Sequence, residues 1–377
     1  MRIPLSAPDI EEFEIEAVSA VLRSGRLSLG PKLSQFEQAL ADYIRAPFAI
    51  AVNSGTSGLQ LCVRALGLSE GCEVIVAPFS FVAASNAILH ERATPVFVDI
   101  DPNTLNLDPE RIVPAITSRT RAIMVVHTFG RPAPMGVIME IAAQHGLVVI
   151  EDACEALGAE WEGKRVGGLG AAGVFAFYPN KQITTGEGGM VVAQDPAIAA
   201  RIRSMSNQGR SQPGEWFEHR ELGFNYRLSE LSCALGITQL GRLKSILERR
   251  AAVAAAYQRR LEKHPELILS DLSIADGLVS WFVYVVRLGE MFEQADRDWI
   301  AAELQARGIG CARYFAPIHL QPFYRQTFGF APGDFPITER IAARTLALPF
   351  SNQITDEQLD EVCETLLALM AQRAPTS

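Results

Sequence analysis

The chain has 377 residues, of which 48% are apolar and 20% charged, a composition that excludes a disordered or collagen-like protein. At ~150 residues per domain it predicts two or three domains, large enough to bury a core without covalent staples. A formal charge of −9, from 34 Lys+Arg against 43 Asp+Glu, argues against general nucleic-acid or anionic-membrane binding.

The first residues, MRIPLSAPDIEEFE, turn acidic at once and contain no apolar run, so no signal peptide is expected. No stretch of ~18 apolar residues occurs, so no membrane span is expected either. An amphipathic helix is predicted over 10–22, and a second helix over 33–43 after the turn bracketed by Gly25 and Gly30. Short apolar runs then predict buried strands at 73–77, 94–98, 122–126, 147–151, 173–177 and 189–193, with a further run over 48–52. Helical patterns over 57–65, 81–89 and 135–144 alternate with them, which points to an α/β domain whose mostly parallel sheet is covered on both faces. After residue 228 the pattern changes. A long helix is expected over 228–261, then strands at 267–269 and 281–288, then helices over 295–307, 339–346 and 355–371. This second part reads as a smaller α+β domain hung on the long helix. The six cysteines lie far apart with no CxxC pair, so free buried thiols in a reducing cytoplasm are expected and a metal site is not.

Open α/β sheets bind ligands beyond the carboxyl ends of their strands, so polar residues after apolar runs are the ones to weigh. Asn53-Ser54-Gly55-Thr56-Ser57-Gly58 precedes a helix, where free backbone N–H groups and the helix dipole favour an anion. An ordinary capped loop is the alternative. Asp152 ends the run Leu147–Glu151 and is placed to pair with a cationic ring nitrogen, or else to cap the next turn. Glu155, three residues on, is expected in the same pocket. The chain has only five lysines, Lys32, Lys164, Lys181, Lys244 and Lys263. Of these, Lys181 stands between the aromatic run Phe175–Tyr178 and the Gly-rich turn Thr184–Gly189, a setting that desolvates an amine and makes it nucleophilic toward aldehydes. A solvated loop lysine is the plain alternative. Together, a phosphate cradle, an acidic strand end and a lysine are what pyridoxal phosphate (PLP) requires: a grip on the phosphate, a partner for the pyridine nitrogen and a Schiff-base amine. Phe81 follows a strand end and is placed to stack on the ring, or to fill the core. His127 is expected to hydrogen-bond within the core or a loop.

The blocks SGTSGLQL, PFSFVAASNAIL, VVIEDACEALGA, FAFYPNKQITTGEGGMV, LGFNYRLSEL and RYFAPIHLQPFY resemble, in order, those of the DegT/DnrJ/EryC1/StrS aminotransferases, over about residues 5–370. The resemblance includes the perosamine-synthase-like branch. It implies a PLP-dependent, aspartate-aminotransferase-like (fold type I) large domain with a mixed, mostly parallel sheet over 1–240. A smaller α+β C-terminal domain would cover 241–377, with the N-terminal segment packed on it. It implies an enzyme that moves an amino group from an amino acid, glutamate by expectation, to a keto-sugar on a nucleoside diphosphate. Other PLP chemistry on this fold, or a non-catalytic PLP-binding regulator, are the alternatives. By the same resemblance Lys181 is the cofactor lysine, Asp152 the ring-nitrogen partner and Phe81 the stacking ring. Ser54, Gly55 and Thr56 hold the phosphate, and Asn225 reaches it from the neighbouring subunit of a homodimer. Glu155 adjoins the cofactor, and Arg227, Arg313, Tyr314, His319 and Glu187 face substrate. Two positions depart from the family pattern: Ala176, where many members carry a phosphate-binding Ser, and Glu155, where many carry Gln or His.

Overall fold

The computed structural model describes residues 2–210 and 218–373. Its strands, in chain order, are β1 (Phe48–Val52), β2 (Glu73–Val76), β3 (Thr94–Phe97), β4 (Thr120–Val126), β5 (Val148–Asp152), β6 (Glu160–Trp161) and β7 (Lys164–Arg165). They continue with β8 (Ala172–Ala176), β9 (Gly189–Ala193), β10 (Leu267–Leu269), β11 (Gly277–Leu278), β12 (Tyr284–Leu288) and β13 (Thr345–Leu348). The main sheet has seven strands in the order β1-β9-β8-β5-β4-β2-β3. Strands β8, β5, β4, β2 and β3 pair in parallel, and β9 alone runs against both its neighbours, so β1 points the same way as β8. This is the mixed, mostly parallel sheet of fold type I.

Both faces of the sheet are buried, which is why its strands read as unbroken apolar runs. Alternation still decides which core each residue enters. Ile50, Val52, Met124, Val126, Ile150 and Val174 pack under the helices Gly55–Ala65, Ala83–His90 and Pro196–Ser206. Ile123, Val125 and Val149 face the helix Met135–His145, while Ala49, Ala51, Phe175 and Met190 face Pro31–Ile44. A separate core gathers β10, β12 and β13 with the helices Gln294–Ala306 and Asp356–Ala371, and the N-terminal residue Ile3 lies in it, bridged to Ile309. The helix Leu243–Leu261 joins the two, with Leu243 and Ile246 in the first region and Ala254, Tyr257 and Leu261 in the second. Among the described residues no helix is long and apolar enough to cross a membrane. All six cysteines are free, four of them buried and Cys72 and Cys154 partly so.

Three expectations are corrected. The single helix over 228–261 is two, Glu230–Gly241 and Leu243–Leu261, with the break at Arg242. There the guanidinium is drawn into carboxylates of the N-terminal segment: Asp9 at 3.0 Å, Glu14 at 2.9 Å, and Glu11. The helix expected over 339–346 ends at Ala342, and Thr345–Leu348 is instead β13, paired antiparallel with β12 from Arg287↔Thr345 to Tyr284↔Leu348. A vacant sheet edge outweighs the local helical pattern in those residues. The strand expected over 281–288 begins only at Tyr284, a difference that matters at the site below.

The Arg242 network fixes the N-terminal segment on the helix break, since Arg249 also meets Asp9 at 2.5 Å and Asn352 donates to it at 2.8 Å. Burial pushes the Asp9 carboxyl up, but the hydrogen bonds from Asn352 and Arg242 and the Arg242 and Arg249 charges outweigh it and hold the group below the usual range. A lowered folded value means the stabilisation is complete above the unfolded value of about 4 and is lost as pH falls through the folded one. Thermal unfolding followed from neutral pH to about pH 3 is therefore expected to fall less steeply in Asp9→Asn than in the parent. Arg242→Met, which strands buried carboxylates, is expected to lose about 3 kcal/mol at neutral pH.

Candidate active site

The parallel strands deliver their carboxyl ends to one edge of the sheet, and a cavity of about 350 Å³ opens there. Alternation along β5 puts Asp152 on the same face as Ile150, while Glu151 points to the opposite face. On β8, Ala176 shares the face of Val174 and reaches the same cavity. The turn after β1 leads into the helix Gly55–Ala65, with Ser54 as N-cap. The Ser54 hydroxyl accepts from the Ser57 N–H at 3.1 Å and its carbonyl from that of Gly58 at 3.1 Å. The N–H groups of Gly55 and Thr56 are left without a protein partner among the described residues. Gly55 allows a close approach here: a Cβ would lie 2.8 Å from both the Ala176 methyl and the Cys154 Sγ.

Lys181 sits on an excursion between β8 and β9 whose base is closed by Phe177 N–H to Gly188 at 2.9 Å and Thr185 N–H to Phe177 at 3.0 Å. Its Nζ lies 3.7 Å from Glu155 Oε1 and 4.1 Å from the centroid of the Phe282 ring. Glu155 is itself fixed, because the Phe129 N–H donates to its Oε2 at 2.9 Å. Burial pushes the Glu155 carboxyl above the usual range, opposed by the Lys181 charge and the Phe129 hydrogen bond. Asp152 Oδ1 accepts from the Cys154 N–H at 3.1 Å. Burial also pushes the Cys154 thiol well up, so it lines the cavity as a neutral group.

The structure therefore brings Ser54, Gly55, Thr56, Phe81, Asp152, Glu155, Lys181, Glu187 and Tyr314 to one cavity, with Ala176 among its walls. Four expected residues are elsewhere in the chain's own fold. Asn225 is exposed, and Arg227 bonds Asn207 Oδ1 at 3.0 Å while bridging Val52. Arg313 is exposed and meets Asp298 at 3.2 Å. His319 is wholly buried, 3.0 Å from Glu339 and edge-on to Phe335, and lies outside the cavity lining. The cavity also contains residues that sequence reasoning did not single out: Tyr178, Asn180, Phe282 and Phe315. Tyr178 and Asn180 stood in the lysine block and were legible there. Phe315 stood beside Tyr314 in the block RYFAPIHLQPFY, whereas Phe282 arrives from distant chain and carried no local signal.

The profile of the DegT/DnrJ/EryC1/StrS aminotransferase family matches residues 8–367. The chain belongs to this family. The spore coat polysaccharide biosynthesis protein SpsC of Bacillus subtilis (strain 168) is 38% identical over 374 residues, covering 97% of this chain and 96% of that protein. GDP-perosamine synthase of Caulobacter vibrioides is 37% identical, covering 97% of each. Among solved structures, DesV of S. venezuelae in complex with a ketimine intermediate superposes with a TM-score of 0.90 at 35% identity, covering 100% of this chain and 99% of that one. As a member of the family, this protein is a PLP-dependent aminotransferase.

The residues present fit the cofactor. The two unpartnered N–H groups at a helix N-terminus suit a phosphate, a buried carboxylate suits a protonated ring nitrogen, and the Asn180 Oδ1 is a buried acceptor with no partner among the described residues. The methyl of Ala176 lies against Gly55 and supplies no donor. In a Lys181→Ala background, where only non-covalent contacts remain, Ala176→Ser is expected to tighten PLP about tenfold. One hydrogen bond to a charged group is worth on the order of 1.5 kcal/mol. Equilibrium dialysis of the two variants measures the ratio.

Proposed function

We propose that this aminotransferase takes an amino group from an amino acid, glutamate, and delivers it to a keto-sugar carried on a nucleoside diphosphate. The observation that carries the reading is the convergence of Lys181, Asp152 and the free N–H groups of Gly55 and Thr56 in one cavity of a family member, two of whose relatives bear sugar names. PLP, when bound, supplies an electron sink for the carbon that loses its proton. The chain's own residues do the rest. Asp152 holds the proton on the ring nitrogen, and Gly55, Thr56 and Ser54 bind the phosphate. Phe81, at 63% exposure, offers a ring face to the open side of the cavity. Lys181 Nζ receives and returns the proton.

In this reading Glu155, Glu187 and Tyr314 stand where ring substituents and substrate pass, and Arg227 and Arg313 serve the diphosphate at the mouth of the assembled site. Asn225, exposed in this chain, completes the site of a second copy, so the active unit is a homodimer working in the cytoplasm. A remote nucleotide gives binding energy that positions the keto carbon.

The test presents the pyridoxamine form of the enzyme with nucleoside-diphosphate keto-sugars, the free sugars and a set of keto acids, read by mass. Amination of a nucleotide-linked sugar is expected, with the free sugar slower as well as weaker-binding. Faster amination of a keto acid unrelated to the donor would replace this reading with an amino-acid aminotransferase. No amination of anything would leave a PLP-binding regulator. Sharing of sites is tested by mixing Lys181→Ala with Asn225→Ala chains. Each parent is expected to be inactive, and the mixture to recover activity through hybrid dimers in which one site carries neither lesion.

A further inference from the structure

Residues 280–283 lead into β12 without joining the sheet, and three independent contacts hold them against the lysine. Gln182, next to Lys181 in sequence, donates from Nε2 to the Ser280 carbonyl at 3.0 Å and to its hydroxyl at 3.0 Å. The Ser280 N–H donates to Gly130 at 2.9 Å, and Gly130 has φ +82° with room for no Cβ, which would lie 1.7 Å from the Ser280 carbonyl oxygen. Arg250, on the helix Leu243–Leu261, donates from Nε to the Trp281 carbonyl at 2.6 Å and from Nη2 to the Phe282 carbonyl at 2.7 Å. Arg250 is 4% exposed, and burial lowers its pKa to about 10, so it is still protonated at neutral pH. A buried cation spent on two backbone carbonyls fixes the ring of Phe282, which is 5% exposed, over the Lys181 ammonium.

We propose that Phe282 is a positioning residue for Lys181: its ring face stabilises the protonated amine at 4.1 Å, and Arg250 and Gln182 hold the ring there. This rests on Lys181 being the cofactor lysine. A phenyl ring cannot take the proton, so it favours the ammonium without competing for it, through the negative face of its quadrupole. The other charged or titratable group close to Nζ is Glu155 at 3.7 Å, beyond hydrogen-bond distance. Asp152, Cys154, Tyr178, Glu187 and Tyr314 also line the cavity, and Lys181 is its one cation among the described residues. With Glu155 at 3.7 Å and the ring at 4.1 Å, the amine keeps a proton it has just received in a place from which it can be returned.

The full-length chain, freed of cofactor, is mixed with PLP across a pH series, and covalent capture is fixed by borohydride and mapped to its peptide. Capture needs the neutral amine, so weakening the ammonium moves the midpoint of capture to lower pH. Phe282→Leu and Phe282→Met keep bulk and remove the ring. Both are expected to lower the midpoint by about one pH unit, equivalent to about tenfold faster capture at a fixed pH below it, whereas Phe282→Tyr stays at the parent value. A purely structural role gives the opposite pattern, slower capture at every pH with an unmoved midpoint. That result overturns the inference, as does a Tyr variant that moves with the others. Circular dichroism checks folding, and either ringless variant that folds suffices. If the parent's label falls on a lysine other than Lys181, the cofactor-lysine reading and this inference both fall. If the label is on Lys181 and the midpoint does not move, the inference falls alone.

Discussion

The site depends on one buried carboxylate, and it is not the one that faces the cavity. Glu151 has no exposed surface, yet it accepts from the N–H groups of Gly167, Leu169 and Gly170, each at 2.6 Å, and meets His127 Nε2 at 3.0 Å. His127 Nδ1 accepts from the Ala133 N–H at 3.1 Å, which assigns the ring proton to Nε2 and makes that nitrogen the donor to Glu151. An ionised carboxylate without these donors would cost several kcal/mol in this interior. With them it ties the end of β5 to the loop before β8 and to the end of β4. The His127 N–H also donates to the Asp152 carbonyl at 3.1 Å. Asp152 is thus placed by its neighbour: alternation sends one carboxylate into a saturated network and the next into the cavity.

A second constraint comes from outside the main sheet. Lys181 is placed by two regions at once, the closed excursion between β8 and β9 and the clamped segment before β12. That segment stays out of β12 because its carbonyls are already taken by Arg250 and Gln182. The same residues that fail to form a strand therefore build the wall of the site. The carbonyls of Ser280, Trp281 and Phe282 are each taken by a buried side-chain donor, which holds this irregular backbone in place as a wall of the site.

The polarity of the cavity follows from these placements. Glu155 and Asp152 stand near one amine, and burial favours the neutral form of Glu155 while Lys181 favours the charged one. Phe81 and Tyr178, both more than half exposed, leave the opposite side open. The chain alone thus gathers the helix N-terminus at Gly55, the Asp152 carboxylate and the Lys181 amine on the inner wall of a cavity that is open on its other side.

Much of this was determined by the sequence. Burial on both faces of the sheet demands unbroken apolar runs, and those runs located the strands to within two residues. Helix Met135–His145 and β9 were equally plain. Asp152, Lys181 and the Ser54–Thr56 turn were legible because each lies at or shortly after the end of a strand, so local pattern and site coincide. Tertiary structure decided what local pattern cannot carry. The break at Arg242 answers carboxylates more than two hundred residues away, and Thr345–Leu348 became a strand because β12 offered an edge. His319, inside a recognisable block, was claimed by Glu339 and Phe335. Phe282 reached Lys181 only because a buried arginine needed acceptors and found them in the two carbonyls before β12. Sequence pattern records the period of an element and the residues beside it, whereas long-range hydrogen bonds and charge pairs are settled only when distant segments compete for the same partners.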